Sequence, residues 1–387
     1  MKLYGYKRKN GTYGIRNHIL VIPTSVCAAD TAAKIASQVD GAIAIPNQHG
    51  CCQIGSDIEQ TERTLAGFGK NPNVGAVLVV GLGCDGIQAH SLAEDIRQIG
   101  KPVESLVIQE EQGTLNTISN GGKILRELSQ EISSQEREEF DISNLVVALE
   151  CGGSDPTSGI AANPTIGVVS DKLCELGGST ILSETTEVIG AEHLLAERFE
   201  DENEKNKFLG FVSGVEQRAL GLGEDLRSGQ PTPGNKAGGL TSIEEKSLGC
   251  MYKAGSAPFV GALEYAESVD NDKKGLYFMD SPGQDIDSNT GMVAAGAQMI
   301  LFSTGRGTPT GNPIAPVIKI TGNPDTYETM KDNLDMNMGR IISEGATLQQ
   351  MGDELMDEVV KVANGKKTKS EALGHREFGI FKVTGTF

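Results

Sequence analysis

The chain has 387 residues, a formal net charge of −18, 5 % aromatic residues and no tryptophan. So acidic a surface repels nucleic acid and anionic membranes, and an anionic substrate has to be met by a local basic pocket. No run of about 18 apolar residues is present to span a bilayer, and the N-terminus lacks the apolar stretch of a signal peptide, so a cytoplasmic location is expected.

Short apolar runs alternate with helical spacing from the start. His18–Pro23 comes first, followed by residues 41–45, 74–80, 103–108, 145–149 and 180–182, each short enough to be a buried parallel strand. Between the first two runs, Ala32, Ile35, Ala36 and Val39 repeat with a helical period. The charged stretch 129–143 marks a boundary, and the stretch 227–241, with six glycines and prolines between apolar segments, reads as a functional loop. Toward the C-terminus, Leu348, Met351, Leu355, Val359 and Val362 predict a long amphipathic helix. The expected fold is α/β, with Rossmann-like parallel sheets and flanking helices in two α/β units: an N-terminal domain at 1–138 and a catalytic domain at 139–387.

The seven cysteines are irregularly spaced, and without an export signal they read as thiols or metal ligands rather than disulfides. Cys51, Cys84 and Cys151 each follow a predicted strand, at the sheet edge where open α/β folds bind ligands. Three thiolates there can hold an iron-sulfur cluster with one open iron, or a single metal ion together with a carboxylate or imidazole. The plainer alternative is a small residue in a tight turn. Cys27, Cys174 and Cys250 fall in or beside helical patterns and are assigned to packing, with Cys52 an ambiguous neighbour. His49 is a candidate metal ligand or general base, whereas His18 and His375 read as structural. Glu184 and Glu187 follow the 180–182 strand, and Asp280 ends another apolar run; each is a candidate base or hard-metal ligand, or a structural acid at a helix start. Lys236 and Arg306 sit among glycines, where backbone amides and a cation can share a carboxylate, with Arg16 in YGIRNH a third candidate; capping of turns is the plainer alternative. The spacing in GLGCDG does not fit a dinucleotide fingerprint, which argues against a nicotinamide oxidoreductase.

Six segments in order, GIRNHILVIPT, NPNVGAVLVVGLGC, CGGSDPTSGIAANP, ILSETTEVIGAEHLL, PGNKAGGLTSIEEKSLG and FSTGRGTPTGNPIAPVIKITGN, resemble the altronate/galactarate dehydratase family, which includes the large subunit of sulfolactate sulfo-lyase. The resemblance implies a lyase that removes a proton beside a carboxylate and expels a β-substituent, leaving an enol that becomes a 2-keto acid. Hydroxide leaves in the sugar-acid dehydratases, giving a 2-keto-3-deoxy acid, and sulfite leaves in the sulfo-lyase. It further implies iron, with Cys51, Cys84 and Cys151 as its ligands. In this reading His49 or Glu184 is the base, Lys236 and Arg306 neutralise the substrate and enediolate, and Arg16, Ser154 and Asp155 contact the substrate. Cys52 stands where the family motif has a second glycine. Single-chain members look longer, so a separate small β-rich subunit and a homo-oligomer are expected; a non-catalytic scaffold subunit is the alternative.

Overall fold

The computed structural model describes residues 1–229 and 231–384. β1 (Leu3–Lys7) and β2 (Tyr13–Gly14) pair antiparallel. There follows a four-stranded parallel sheet of β3 (His18–Pro23), β4 (Ala42–Ala44), β5 (Val74–Gly81) and β6 (Val103–Val107), in the order β4-β3-β5-β6. Its helices are α1 (Val26–Ala36), α2 (Gly55–Lys70), α3 (Ala89–Arg97) and α4 (Thr114–Ser133). The strands are apolar without a break because both faces are covered. Ile19 and Val21 of β3 pack with the α1 and α4 residues Ile35 and Leu125, while Leu20 and Ile22 face a second core. Val39 lies beyond the end of α1 but still packs against the first of these cores.

The charged stretch 129–143 holds the end of α4, then β7 (Glu138–Phe140), then a turn in which the Asp141 side chain accepts from the Ser143 amide. β7 straddles the expected boundary and pairs with β1, with Tyr13 stacked on Phe140. The second sheet has seven strands: β8 (Val146–Gly152), β9 (Ser179–Leu182), β10 (Phe259–Leu263), β11 (Leu276–Met279), β12 (Met299–Thr304), β13 (Val317–Thr321) and β14 (Met336–Asn337). They run parallel in the order β10-β11-β9-β8-β12-β13-β14. Its principal helices are α5 (Asn163–Glu175), α6 (Ile243–Met251), α7 (Asp285–Ala294) and α8 (Leu348–Ala363). The start of α8 is fixed by a reciprocal cap between Thr347 and Gln350. Of the 227–241 stretch, Gln230 lies outside the described residues, as do residues 385–387; the remainder includes a short helix, Pro233–Ala237.

Both sheets contribute to one shared core. Val146 and Ala148 of β8 meet residues of β3 and β5 there, across helices α2, α3 and α7, while Val147 and Leu149 face the outer core beneath α5 and α8. A Cβ on Gly67 of α2 would lie 2.3 Å from the Ala294 carbonyl oxygen of α7, so only glycine allows these helices to touch at that point. Among the described residues no helix is long and apolar enough to cross a membrane.

Candidate active site at the edge of the second sheet

The carboxyl ends of β8 and β9 bring two acids and a thiol together. Glu150 and Cys151 are successive residues of β8 and therefore point to opposite faces of the sheet. Glu184, just beyond β9, has φ 71°, a left-handed conformation that is costly for a non-glycine residue and characteristic of functional sites. It is held there because its amide donates to Ser281 Oγ at 2.8 Å, while the next amide, of Thr185, donates to the Ser281 carbonyl at 2.9 Å. Asp280 accepts from the Thr185 hydroxyl and so braces the same turn.

On one face, Glu187 Oε2 accepts from the thiols of Cys151 at 2.7 Å and Cys250 at 3.0 Å, the two sulfurs being 3.5 Å apart. Lys246 Nζ lies 2.6 Å from Glu187 Oε1. Lys253 Nζ lies 3.1 Å from Glu184 Oε2 in a pair whose side chains are 1 % and 0 % exposed. On the other face, Ser288 Oγ donates to Glu150 Oε2 at 2.7 Å. Asp285, in the first turn of α7, completes a carboxylate group with Glu150 and Glu184, their oxygens within 4.8 Å of one another. A Cβ on Gly152 would stand 2.3 Å from Asp285 Oδ2, so the missing side chain is what admits this carboxylate.

Burial and charge set these groups apart. Burial and the Glu187 charge push the Glu184 carboxyl up to about 7, against the pull of Lys253. Burial also acts on Glu187, but the ammonium groups of Lys246 and Lys253 and the two thiol donors outweigh it and bring that carboxyl down to about 2. Burial, then Glu187, lifts Asp285 to about 6. Glu150 is driven well above the carboxylate range by burial and Glu184, and the Cys151 thiol is raised by its contact with Cys250 and by burial. Burial opposes the charge on Lys253, but Cys151, then Glu184, Cys250 and Glu187, outweigh it and raise the ammonium well above its ordinary value. Carboxyl groups separated in this way can divide acid and base roles among themselves.

Glu150 Oε1 and Glu184 Oε1 are buried and receive no donor from any other residue described, and the two carboxyl groups are left to share a proton with each other. Orphaned acid oxygens of this kind call for a ligand. The three-carboxylate group suits a hard or borderline divalent cation, and Cys151, Glu187 and Cys250, within the same 4.8 Å limit, offer a softer set beside it.

Of the residues predicted from sequence, Cys151, Glu184 and Glu187 are in this site, and Asp280 braces the turn that carries Glu184. Neither potential metal group unites Cys51 or Cys84 with Cys151; those two follow β4 and β5 of the first sheet. His49 also belongs to the first sheet, its Nε2 3.2 Å from the Ile380 carbonyl oxygen. Burial and Lys382 lower its pKa, favouring the neutral imidazole, and it lines a cleft of about 310 Å³ with Asp287, which shares the first turn of α7 with Asp285. Lys236 is exposed on the helix Pro233–Ala237, and Arg306, also exposed, donates from Nη1 to the Gly234 carbonyl at 2.9 Å, so the two cationic loops touch. Ser154 and Asp155 line a cleft with Lys246 and Cys250. Asp155 is also structural: it accepts from Thr157, Ser158 and Asn323. Arg16 does not fit the expected substrate contact. All five of its donors are engaged, by both oxygens of Glu371 and the carbonyls of Ile15, Val362 and Lys366.

The sequence reading missed Glu150, Lys246, Cys250, Lys253 and Asp285. Two signals for them were present: a glutamate inside an otherwise apolar strand run, and the 246, 250, 253 spacing, which puts the two lysines and Cys250 on one helical side.

The parallel sheets and this set of acids, thiols and ammonium groups define an α/β enzyme equipped for proton transfer at a buried sheet edge. Residues 142–386 match the C-terminal domain of D-galactarate/altronate dehydratase, and residues 5–133 match the second domain of D-galactarate dehydratase/altronate hydrolase. The (2R)-sulfolactate sulfo-lyase subunit beta of Chromohalobacter salexigens is 41 % identical over 98 % of this chain and 97 % of its own length. The altronate dehydratases of Escherichia coli and Bacillus subtilis are 37 % and 34 % identical over 97 % and 98 % of this chain, and 77 % of each of those proteins is covered. The chain belongs to the D-galactarate/altronate dehydratase family, and it is a lyase.

Proposed function

We propose that this lyase carries out a metal-dependent β-elimination on a small hydroxylated carboxylate, dehydrating a sugar acid of the altronate or galactarate type to a 2-keto-3-deoxy acid. The observation that supports the metal requirement is the convergence of Glu150, Glu184 and Asp285, where two buried acid oxygens receive no donor from any other residue described. These three residues would hold a divalent cation such as ferrous iron, which supplies Lewis-acid polarisation of the substrate oxygens. A proton next to a carboxylate is only weakly acidic, so the enediolate that develops as it leaves has to be stabilised. His49, favoured as the neutral imidazole, takes that proton. Lys236 and Arg306, on their touching loops, hold the substrate carboxylate, and Lys253 keeps Glu184 oriented through its buried ion pair.

A second reading is elimination of sulfite from (2R)-sulfolactate. It is favoured by the end-to-end match to the sulfo-lyase subunit, whereas the altronate dehydratases extend beyond the shared region. That relative's designation as subunit beta also supports a separate small partner subunit, and we place the complex in the cytoplasm. The test is anaerobic assay of the chain, alone and with a small subunit, on altronate, galactarate and (2R)-sulfolactate, measuring 2-keto acid and sulfite. Keto acid from a sugar acid without sulfite supports dehydration; sulfite from sulfolactate supports the second reading. No keto acid from any of the three overturns both.

A further inference from the structure

The carboxyl edge of the first sheet gathers four cysteines that take no part in the acid and thiol group of the second sheet. Cys27 is the second residue of α1, just after β3; Cys51 and Cys52 follow β4; Cys84 follows β5. Three adjacent strands therefore deliver thiols to one edge. The loops that carry them are tied together through the backbone: Val26 donates to the His49 carbonyl at 3.0 Å, and Gly86 to the Gly50 carbonyl at 2.9 Å. Gly50 sits so tightly on the β3 loop that a Cβ there would be 1.9 Å from the Thr24 carbonyl oxygen. Asp85 Oδ2 fixes the third loop by accepting from the amides of Leu82 and Gly83 at 2.7 and 3.1 Å.

The sulfurs of Cys51 and Cys52 are 3.7 Å apart, and the Cys51 thiol is raised chiefly by Cys52, with Cys27 and Cys84 adding to the shift. Cys27, Cys52 and Cys84 are exposed and Cys51 half-buried, an unusual concentration of unprotected thiols for one sheet edge. Two residues before Cys27, the fully buried Ser25 hydroxyl has no partner among the described residues, and α1 begins without a side-chain cap. The positive end of that helix favours negative charge next to Cys27. The four thiols do not form a compact single-ion group of three. The corners of an iron-sulfur cluster hold their thiolates farther apart than the ligands of one ion, which is what thiols delivered by three separate loops at one sheet edge can supply.

We infer that Cys27, Cys51 and Cys84 ligate an iron-sulfur cluster on the first sheet, with one iron carrying no protein ligand and Cys52 left free. This replaces the expected ligand set, in which Cys151 was the third thiolate, and stands whichever substrate the acid site serves.

The test is anaerobic purification of the full chain, followed by reconstitution with ferrous iron and sulfide. The expected result is about four acid-labile sulfides per chain, about four irons beyond any ion held by the acid site, and sulfur-to-iron charge-transfer absorption in the visible. Cys27→Ser, Cys51→Ser and Cys84→Ser should each lose most of the sulfide and that absorption, while Cys52→Ser and Cys151→Ser keep both. Alkylation of the wild-type chain gives a reading independent of whether a variant folds: in the reconstituted protein Cys52 reacts, while Cys27, Cys51 and Cys84 react only after the iron is chelated. Iron without acid-labile sulfide, full sulfide retention in Cys27→Ser, or equal alkylation of all four thiols before chelation would overturn the assignment.

Discussion

Replacing Lys253 with methionine keeps most of the side-chain volume and removes one charge from a pair in which neither side chain is more than 1 % exposed. The remaining Glu184 carboxylate would be buried beside Glu150 and Asp285 with its nearest counter-charge gone. Breaking a buried ion pair from one side costs about 3–5 kcal/mol, because the remaining group stays charged without compensation or has to take up a proton to lose its charge. Removing both partners costs far less, since neither desolvated charge remains. Lys253→Met should therefore lose about 3–5 kcal/mol in urea unfolding at neutral pH, followed by far-UV circular dichroism, and Lys253→Met/Glu184→Gln should recover most of that loss. A loss under about 1 kcal/mol in the single variant, or a double variant equal to the sum of the two singles, would refute the reasoning.

Three other outcomes are expected. Burial, then Arg16 and Arg376, lowers the half-buried His18 to about 4 in the folded chain, against 6.5 in the unfolded one. Its contribution is fully present above pH 6.5 and is lost as pH falls toward 4, by at most about 3 kcal/mol; His18→Gln should flatten the decline in stability across that window. Gly67→Ala should cost about 1–3 kcal/mol in thermal unfolding by forcing α2 away from the Ala294 carbonyl. Arg16→Lys should lose about 2 kcal/mol of stability with its bidentate contact to Glu371 and leave kcat/KM unchanged, whereas Arg306→Ala should raise KM and leave stability unchanged.

The strands were legible because burial on both faces imposes long apolar runs, which turn residues interrupt; His18–Pro23 is the same segment in sequence and structure. Cys151, Glu184 and Glu187 were legible for a related reason, since a polar residue at the end of a buried strand or just past it stands at the ligand-binding edge. Strand position is a local property, however, and does not say which sheet a strand joins. Cys51, Cys84 and Cys151 looked equivalent, yet the first two belong to one sheet and the third to another. Cys250 was assigned to packing because it lies in a helical pattern, and α6 does bury it, but against Cys151 and Glu187 rather than against apolar side chains alone. Arg16 misled in the opposite sense. A cation near a glycine suggests an open donor, and only the fold reveals that residues some 350 positions later, Lys366 and Glu371, consume it.

The contact at Gly67 gives α2 a further part to play. α7 presents Asp285 to the acid site and Asp287 to the cleft that His49 lines, and the far end of the same helix rests on the first unit through that glycine. A shift between the two units would act as a lever, moving one carboxylate relative to Glu150 and Glu184 while leaving those two in place on their own sheet. Substitutions along the α2 seam, far from any reacting atom, are thus a route by which this lyase can be tuned without altering a single group in its site.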